Sequence, residues 1–186
     1  MKRSALTALA VLLLATPAAA STMPKVDFNS AVRYFGLGLG NDNLSASLDV
    51  PIAGNFMLGG SIGLPGLFGI TSPYPLWDLR GVYQFVDGAR RDLSIGGIAG
   101  LWGGRWFNDQ FTHLELGFGL AYPFTPQLVG RLNLMVPYYG SQPGPYYFGF
   151  GGPAAGAEIG YTFNYKVDGT LGVTGQGTLL GLSIRF

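Results

Sequence analysis

The sequence predicts an all-β chain: a transmembrane antiparallel up-and-down β-barrel of ten strands, with eight as the alternative count. Three observations predict it. Segments of about ten residues alternate between large apolar side chains and small or polar ones, the period of a strand whose two faces meet different surroundings. Charged residues make up 11% of the chain and hydrophobic residues 48%, whereas ordinary soluble domains carry about 25% charged residues. No apolar run after the N-terminus approaches the roughly 18 residues that a membrane-spanning helix needs. A soluble β-sandwich would also alternate, but its outer face would be polar. Here the face opposite the apolar one is mostly Gly and Ser with a few charges, so the apolar face reads as a band turned to lipid.

The first twenty residues stand apart. Lys2 and Arg3 precede an apolar stretch, 5–15, and Ala18, Ala19 and Ala20 supply small residues for cleavage before Ser21. This is the pattern of a secretory signal peptide, too short for a spanning helix. Ser rather than Cys at position 21 speaks against a lipoprotein. The expected organisation is a signal peptide, 1–20, and one domain, 21–186. Taking 20 residues from 186 leaves 166, enough for one domain. Without Lys2 and Arg3 there are 9 basic and 10 acidic residues, a formal net charge of −1. That balance gives no electrostatic case for nucleic acid. The absence of Cys excludes disulfides, thiolate metal sites and cysteine nucleophiles.

The strands follow in order. Residues 31–40 place Phe35, Leu37 and Leu39 on one face and Gly36, Gly38 and Gly40 on the other. A turn signal, 41–43, precedes 44–50, where Leu44, Ala46, Leu48 and Val50 alternate with Ser45, Ser47 and Asp49. After a turn at 51–55, the segment 56–64 turns Phe56, Leu58, Ile62 and Leu64 outward. A Pro/Gly loop, 65–75, leads to 76–86, with Trp77, Leu79, Tyr83 and Phe85 outward and Asp78, Arg80, Val82 and Gln84 inward. The turn 87–92 leads to 93–102, with Leu93, Ile95, Ala99 and Leu101 outward. Residues 103–110 are expected as a loop carrying Arg105, Trp106 and Asp109. Segment 111–122 turns Leu114, Leu116, Phe118, Leu120 and Tyr122 out, and His113 and Glu115 in.

A turn at 123–126 precedes 127–138, with Leu128, Leu132, Leu134, Val136 and Tyr138 outward and Arg131, Asn133 and Met135 inward. The longest irregular stretch is 139–153. Segment 154–165 sends Ala157, Ile159, Tyr161, Phe163 and Tyr165 out and Glu158 in. The Asp168-Gly169 pair marks a turn at 166–169, before a short strand at 170–174. After 175–177 the last strand runs to the final residue, Phe186, in phase with Leu180, Leu182 and Ile184; Arg185 points the other way. The loops 41–43, 65–75, 103–110, 139–153 and 175–177 share one end, and the turns 51–55, 87–92, 123–126 and 166–169 the other.

The leader, the alternating segments, the aromatic strand ends at Trp77, Phe85, Tyr122, Tyr138, Tyr161 and Tyr165, and the terminal Phe186 together resemble the small outer-membrane β-barrel proteins of Gram-negative bacteria. The resemblance covers the mature chain. It implies an integral outer-membrane location after export, with outer-membrane lipid as surroundings and short turns on the periplasmic side. It also implies that Phe186 is part of the signal read by the barrel-assembly machinery.

Chemistry is sought inside the barrel and in its loops. The inward face carries Asp49, Asp78, Glu115 and Glu158 with Arg80, Arg131, Arg185 and His113. Such groups should pair, since an unpaired buried charge costs several kcal/mol, and the expectation is a structural charge network that plugs the interior. A polar lining for a narrow solute path is the alternative. His113 and Glu115 share a face, so a His–carboxylate pair is geometrically open to them. Enzymes resembling outer-membrane deacylases want Ser two residues after His; this chain has Glu115. The expectation is therefore not an enzyme. A lone His without Cys offers no transition-metal ligand set, and neither metal nor cofactor is expected. Gly36, Gly38 and Gly40, like Gly149, Gly151 and Gly152, lack the Lys of a phosphate-binding loop and read as close packing or curvature. In loop 139–153, Tyr146, Tyr147, Phe148 and Phe150 are the ligand-binding candidates, suited to a glycolipid or a surface partner. The functional expectation is a non-enzymatic outer-membrane barrel serving envelope integrity or surface interaction. A narrow channel, or a lipid-modifying enzyme using His113, are the other readings.

Overall fold

The computed structural model describes residues 23–39, 43–65, 76–88, 91–106, 109–138, 155–174 and 177–186. Among them run ten strands: β1 (Tyr34–Leu39), β2 (Asn43–Ala53), β3 (Phe56–Pro65), β4 (Leu76–Val86), β5 (Ser94–Trp106), β6 (Asp109–Pro123), β7 (Leu128–Tyr138), β8 (Gly156–Thr162), β9 (Val167–Thr174) and β10 (Gly177–Arg185). Each pairs antiparallel with its sequence neighbours, and β1 pairs with β10, so the sheet closes into a barrel with no free edge. The count is the expected ten, not eight.

Closure is made by matched apolar residues. Phe35, Leu37 and Leu39 of β1 lie opposite Ile184, Leu182 and Leu180 of β10. Beyond the last pair, Arg33 and Phe186 exchange both backbone hydrogen bonds at 3.1 Å, so Phe186 continues the seam with its ring outside. Along the strands the exposed side chains are the apolar set. Leu79, Leu116, Leu134, Ile159, Leu171 and Leu180 face out, while Asp78, Arg80, Glu115, Arg131 and Glu158 are buried.

The strand ends depart from the sequence expectation in three places. Strands β5 and β6 extend into the expected loop 103–110 as far as Trp106 and Asp109, pairing Arg105 with Gln110 and Trp106 with Asp109. His113 therefore lies four residues beyond the start of β6. The turn expected at 166–169 lies at 163–166. Asn164 Oδ1 accepts hydrogen bonds from the Lys166 and Val167 amides at 2.8 and 3.0 Å, and Asp168-Gly169 belongs to β9. Strand β2 extends to Ala53, leaving Gly54 and Asn55 as the turn, with a bulge between Pro51 and Ala53. The loops 65–75, 139–153 and 175–177 lie largely outside the described residues, as do Tyr146, Tyr147, Phe148 and Phe150.

The short-turn end is built by a repeated device. In the turns 124–127 and 163–166 the first residue is Phe, and the second caps the turn through its side chain. Thr125 Oγ1 accepts from the Gln127 and Leu128 amides, as Asn164 Oδ1 does in its own turn. Each Phe ring lies over a glycine of the following strand: a Cβ at Gly130 would come within 2.8 Å of Phe124, and one at Gly169 within 2.7 Å of Phe163. Phe85 covers Gly97 in the same way, at 3.1 Å. A bulge between Gln84 and Val86 turns both Phe85 and Val86 to the outside. Edge-on ring pairs Tyr83–Phe85, Tyr122–Phe124 and Tyr161–Phe163 complete an aromatic belt at this end. Trp77 is exposed at the opposite end of β4.

Candidate functional site in the barrel interior

The interior charges fall into two groups. The first forms a row across five strands in register: Asp49 (β2), Gly59 (β3), Arg80 (β4), Gly100 (β5) and Glu115 (β6). Arg80 Nη2 lies 3.2 Å from Asp49 Oδ1, and Nη1 lies 3.1 Å from Asp78 Oδ1, with the Arg80 side chain fully buried. Ser61 Oγ donates to Asp78 Oδ2. The glycines make the row possible. A Cβ at Gly59 would overlap Asp49 Oδ1, and one at Gly100 would sit 3.2 Å from Glu115 Oε1. Small residues between charged ones let long side chains lie along the wall and meet across an intervening strand.

The second group sits nearer the short turns. Arg131 forks onto Asp27, Nε to Oδ1 at 2.6 Å and Nη2 to Oδ2 at 2.8 Å, and its Nη1 reaches Glu158 Oε1 at 2.8 Å. Paired parallel bonds of this kind are among the stronger charge-assisted contacts. Arg185 Nε donates to Asp168 Oδ2 at 3.0 Å, and Nη2 donates to Asp168 Oδ1 and to Thr162 Oγ1. The Thr162 hydroxyl donates in turn to Asp168 Oδ1 at 2.6 Å.

Asp27 belongs to no strand. Residues 23–28 are all buried and lie within the lumen. Val26 packs with Phe28, Met57, Val82, Ile98 and Met135 in one apolar cluster. Three interior side chains hold the segment's polar groups. Gln84 Nε2 donates to the Val26 carbonyl at 3.0 Å, Asn133 Nδ2 donates to the Pro24 carbonyl at 3.0 Å, and Lys25 Nζ donates to Ser183 Oγ at 2.7 Å. Lys25 also stands 4.7 Å from the centre of the Tyr34 ring. Burial, assisted by Arg131, lowers the Lys25 ammonium to about 8, against the pull of Asp168, Glu158 and Asp27. Eight-stranded barrels are just wide enough for interior side chains to fill. Ten strands enclose more space, and this segment lies in it.

Of the eight residues expected in the interior, Asp49, Asp78, Arg80, Glu115, Arg131 and Glu158 are buried, and His113 and Arg185 are half-buried. Seven are brought into or beside the two charge groups: Asp49, Asp78, Arg80, Glu115, Arg131, Glu158 and Arg185. His113 is half-buried and lies opposite Trp102 in register, its ring 5.1 Å from the indole and inclined at 50°. Sequence reasoning missed Lys25, Asp27 and Asp168. Asp168 was hidden by its turn-like Asp-Gly context. Lys25 and Asp27 precede the first strand, and the available signal was two opposite charges flanking Val26 between leader and barrel. The mouth at the short-turn end holds a cleft of only about 20 Å³, lined in part by Asp27, Ser94, Gln127 and Thr162, which is room for about one water.

Fold and interior together define a class: a closed ten-stranded up-and-down barrel, apolar outside, with ion pairs and an N-terminal segment within. No protein-family model matches the chain, and no curated protein matches it. Among solved structures it is similar to the N-terminal β-barrel domain of Pseudomonas aeruginosa OprF, at 15% identity over 83% of this chain and 96% of that one, with a TM-score of 0.41. It is similar to KdgM porin at 10% identity over 83% and 98% of the two chains, with a TM-score of 0.41. It is also similar to the Yersinia pestis outer membrane protein Ail, at 13% identity over 83% and 97%, with a TM-score of 0.36.

Proposed function

We propose that this chain is an integral outer-membrane β-barrel with an occluded polar interior, serving envelope integrity or surface interaction rather than catalysis. Support for the membrane comes from the apolar exterior and from strand length. A tilted spanning strand needs about 9–11 residues, and β2 to β7 have between 10 and 15. Support for occlusion comes from one observation above the others. Arg131 is shared between Glu158 on the wall and Asp27 on the lumenal segment, so the segment is tied to the wall at β7 and β8. Interior charges that satisfy one another stabilise a filled lumen and leave little driving force for a solute to replace them.

Phe186 is assigned to the assembly signal, and outer-membrane lipid and the assembly machinery to the partners. Any glycolipid or surface partner is assigned to 139–153. Purified protein in planar bilayers tests the proposal. Silent membranes from a folded, heat-modifiable sample are the expected result. Regular current steps from the unaltered protein would replace this reading with the narrow channel.

A further inference from the structure

We infer that residues 23–28 are a latched plug, and that releasing it opens a path through the barrel that prefers small cations. The inference rests on the occluded-barrel reading and adds what occludes it and what would pass.

The segment is a separable element. It belongs to no strand, and the side chains of Gln84 and Asn133 hold two of its carbonyl groups. Its strongest tie is the fork of Arg131 onto Asp27. The ten strands close through their own ladders, including the β1–β10 seam, so the sheet does not need the segment for closure. Nor does release leave Arg131 bare, because Glu158 stays on the wall at 2.8 Å. Withdrawal removes one cation, Lys25, and one anion, Asp27, from the lumen. Among the described residues the wall then carries Asp49, Asp78, Glu115, Glu158 and Asp168 against Arg80, Arg131 and Arg185. Five carboxylates against three guanidiniums give a formal excess of two negative charges. A narrow, low-dielectric bore lined by an excess of one sign concentrates the opposite ion.

The experiment compares three forms of the full-length barrel in planar bilayers under a potassium chloride gradient, each first checked for a heat-modifiable folded band. Deleting 23–28 is expected to give stepwise currents whose reversal potential has the sign of cation preference. Asp27→Asn keeps the segment but weakens the fork. Because a charge-assisted pair is worth about 1.4 kcal/mol or more, a factor of about ten, its open events should rise at least about tenfold over the unaltered protein. The third form joins plug to wall. A Cβ at Gly96 would lie 3.2 Å from the Val26 Cβ and 2.9 Å from the Tyr83 carbonyl oxygen, so a shift of a few tenths of an ångström away from that carbonyl and from Val26 brings the pair to disulfide spacing, and the chain has no cysteine of its own. Val26→Cys with Gly96→Cys, in the Asp27→Asn background, should be silent when oxidised and conduct when reduced. A silent deletion form, or oxidised and reduced forms that conduct alike, overturns the plug. Anion preference in the deletion form overturns the charge argument. Steady conduction by the unaltered protein and by the oxidised form overturns the occluded-barrel reading itself.

Discussion

Replacing Arg80 with Met removes the one guanidinium between two buried carboxylates. Arg80 meets Asp49 at 3.2 Å and Asp78 at 3.1 Å, and the side chains of all three are at most 4% exposed. Methionine fills much the same volume without a charge, so the dominant loss is electrostatic. Stripping one partner from a buried ion pair costs about 3–5 kcal/mol, because the remaining charge is left uncompensated. Glu115, in register across Gly100, adds a third carboxylate to the same neighbourhood. With a urea dependence of about 2 kcal/mol/M, the unfolding midpoint of the detergent-folded barrel should fall by roughly 2 M. The assay follows the folded, unheated gel band across a urea series. Adding Asp49→Asn and Asp78→Asn to Arg80→Met should recover most of the loss, since a fully neutral buried site is tolerated where a half-paired one is not. A midpoint for Arg80→Met within about 0.3 M of the unaltered protein, on the same scale, would refute the claim that this pairing stabilises the interior.

Phe186→Ala should lower the amount of protein reaching the outer membrane more than it lowers the stability of protein already folded. Normal outer-membrane levels would remove the assembly role. Gly130→Leu places a side chain where the Phe124 ring lies, with Cβ within 2.8 Å of it; because that ring is exposed on the outer surface and can swing aside, the change should cost no more than about 0.5 kcal/mol in the same urea assay. Gly54→Ala, with nothing within 4 Å of its Cβ, should leave the midpoint unchanged. His113→Ala should leave phospholipid and lipid A turnover at the background shown by the unaltered protein. Activity present in the unaltered protein and lost in the variant would reassign His113 to catalysis.

The barrel was legible because strand period and face are written in alternate residues. Asp78 and Arg80 alternate with Trp77 and Leu79, and a shift of one residue would put both charges in lipid. Strand ends were less legible, because they are set by contacts between distant residues. The true turn at 163–166 is fixed by an asparagine side chain and by a phenylalanine lying on a glycine six residues later, while the familiar Asp168-Gly169 pair is drawn into β9 by Arg185. The charge network was half legible. Inward positions follow from alternation, but partners follow from registers that the sequence does not state, as when Gly59 lets Asp49 reach Arg80 across β3. The lumenal segment has no period at all, and Asp27 meets Arg131 across 104 residues of chain.

The claim on which everything else depends is that the apolar exterior faces lipid. Single cysteines at Leu79, Leu116 and Leu180, all exposed on the outer wall, can carry nitroxide labels in a chain that has no other thiol. In folded protein reconstituted into bilayers, relaxation by oxygen should dominate over relaxation by a water-soluble nickel complex at all three positions. Relaxation dominated by the nickel complex at these positions would place the same face in water and contradict the account.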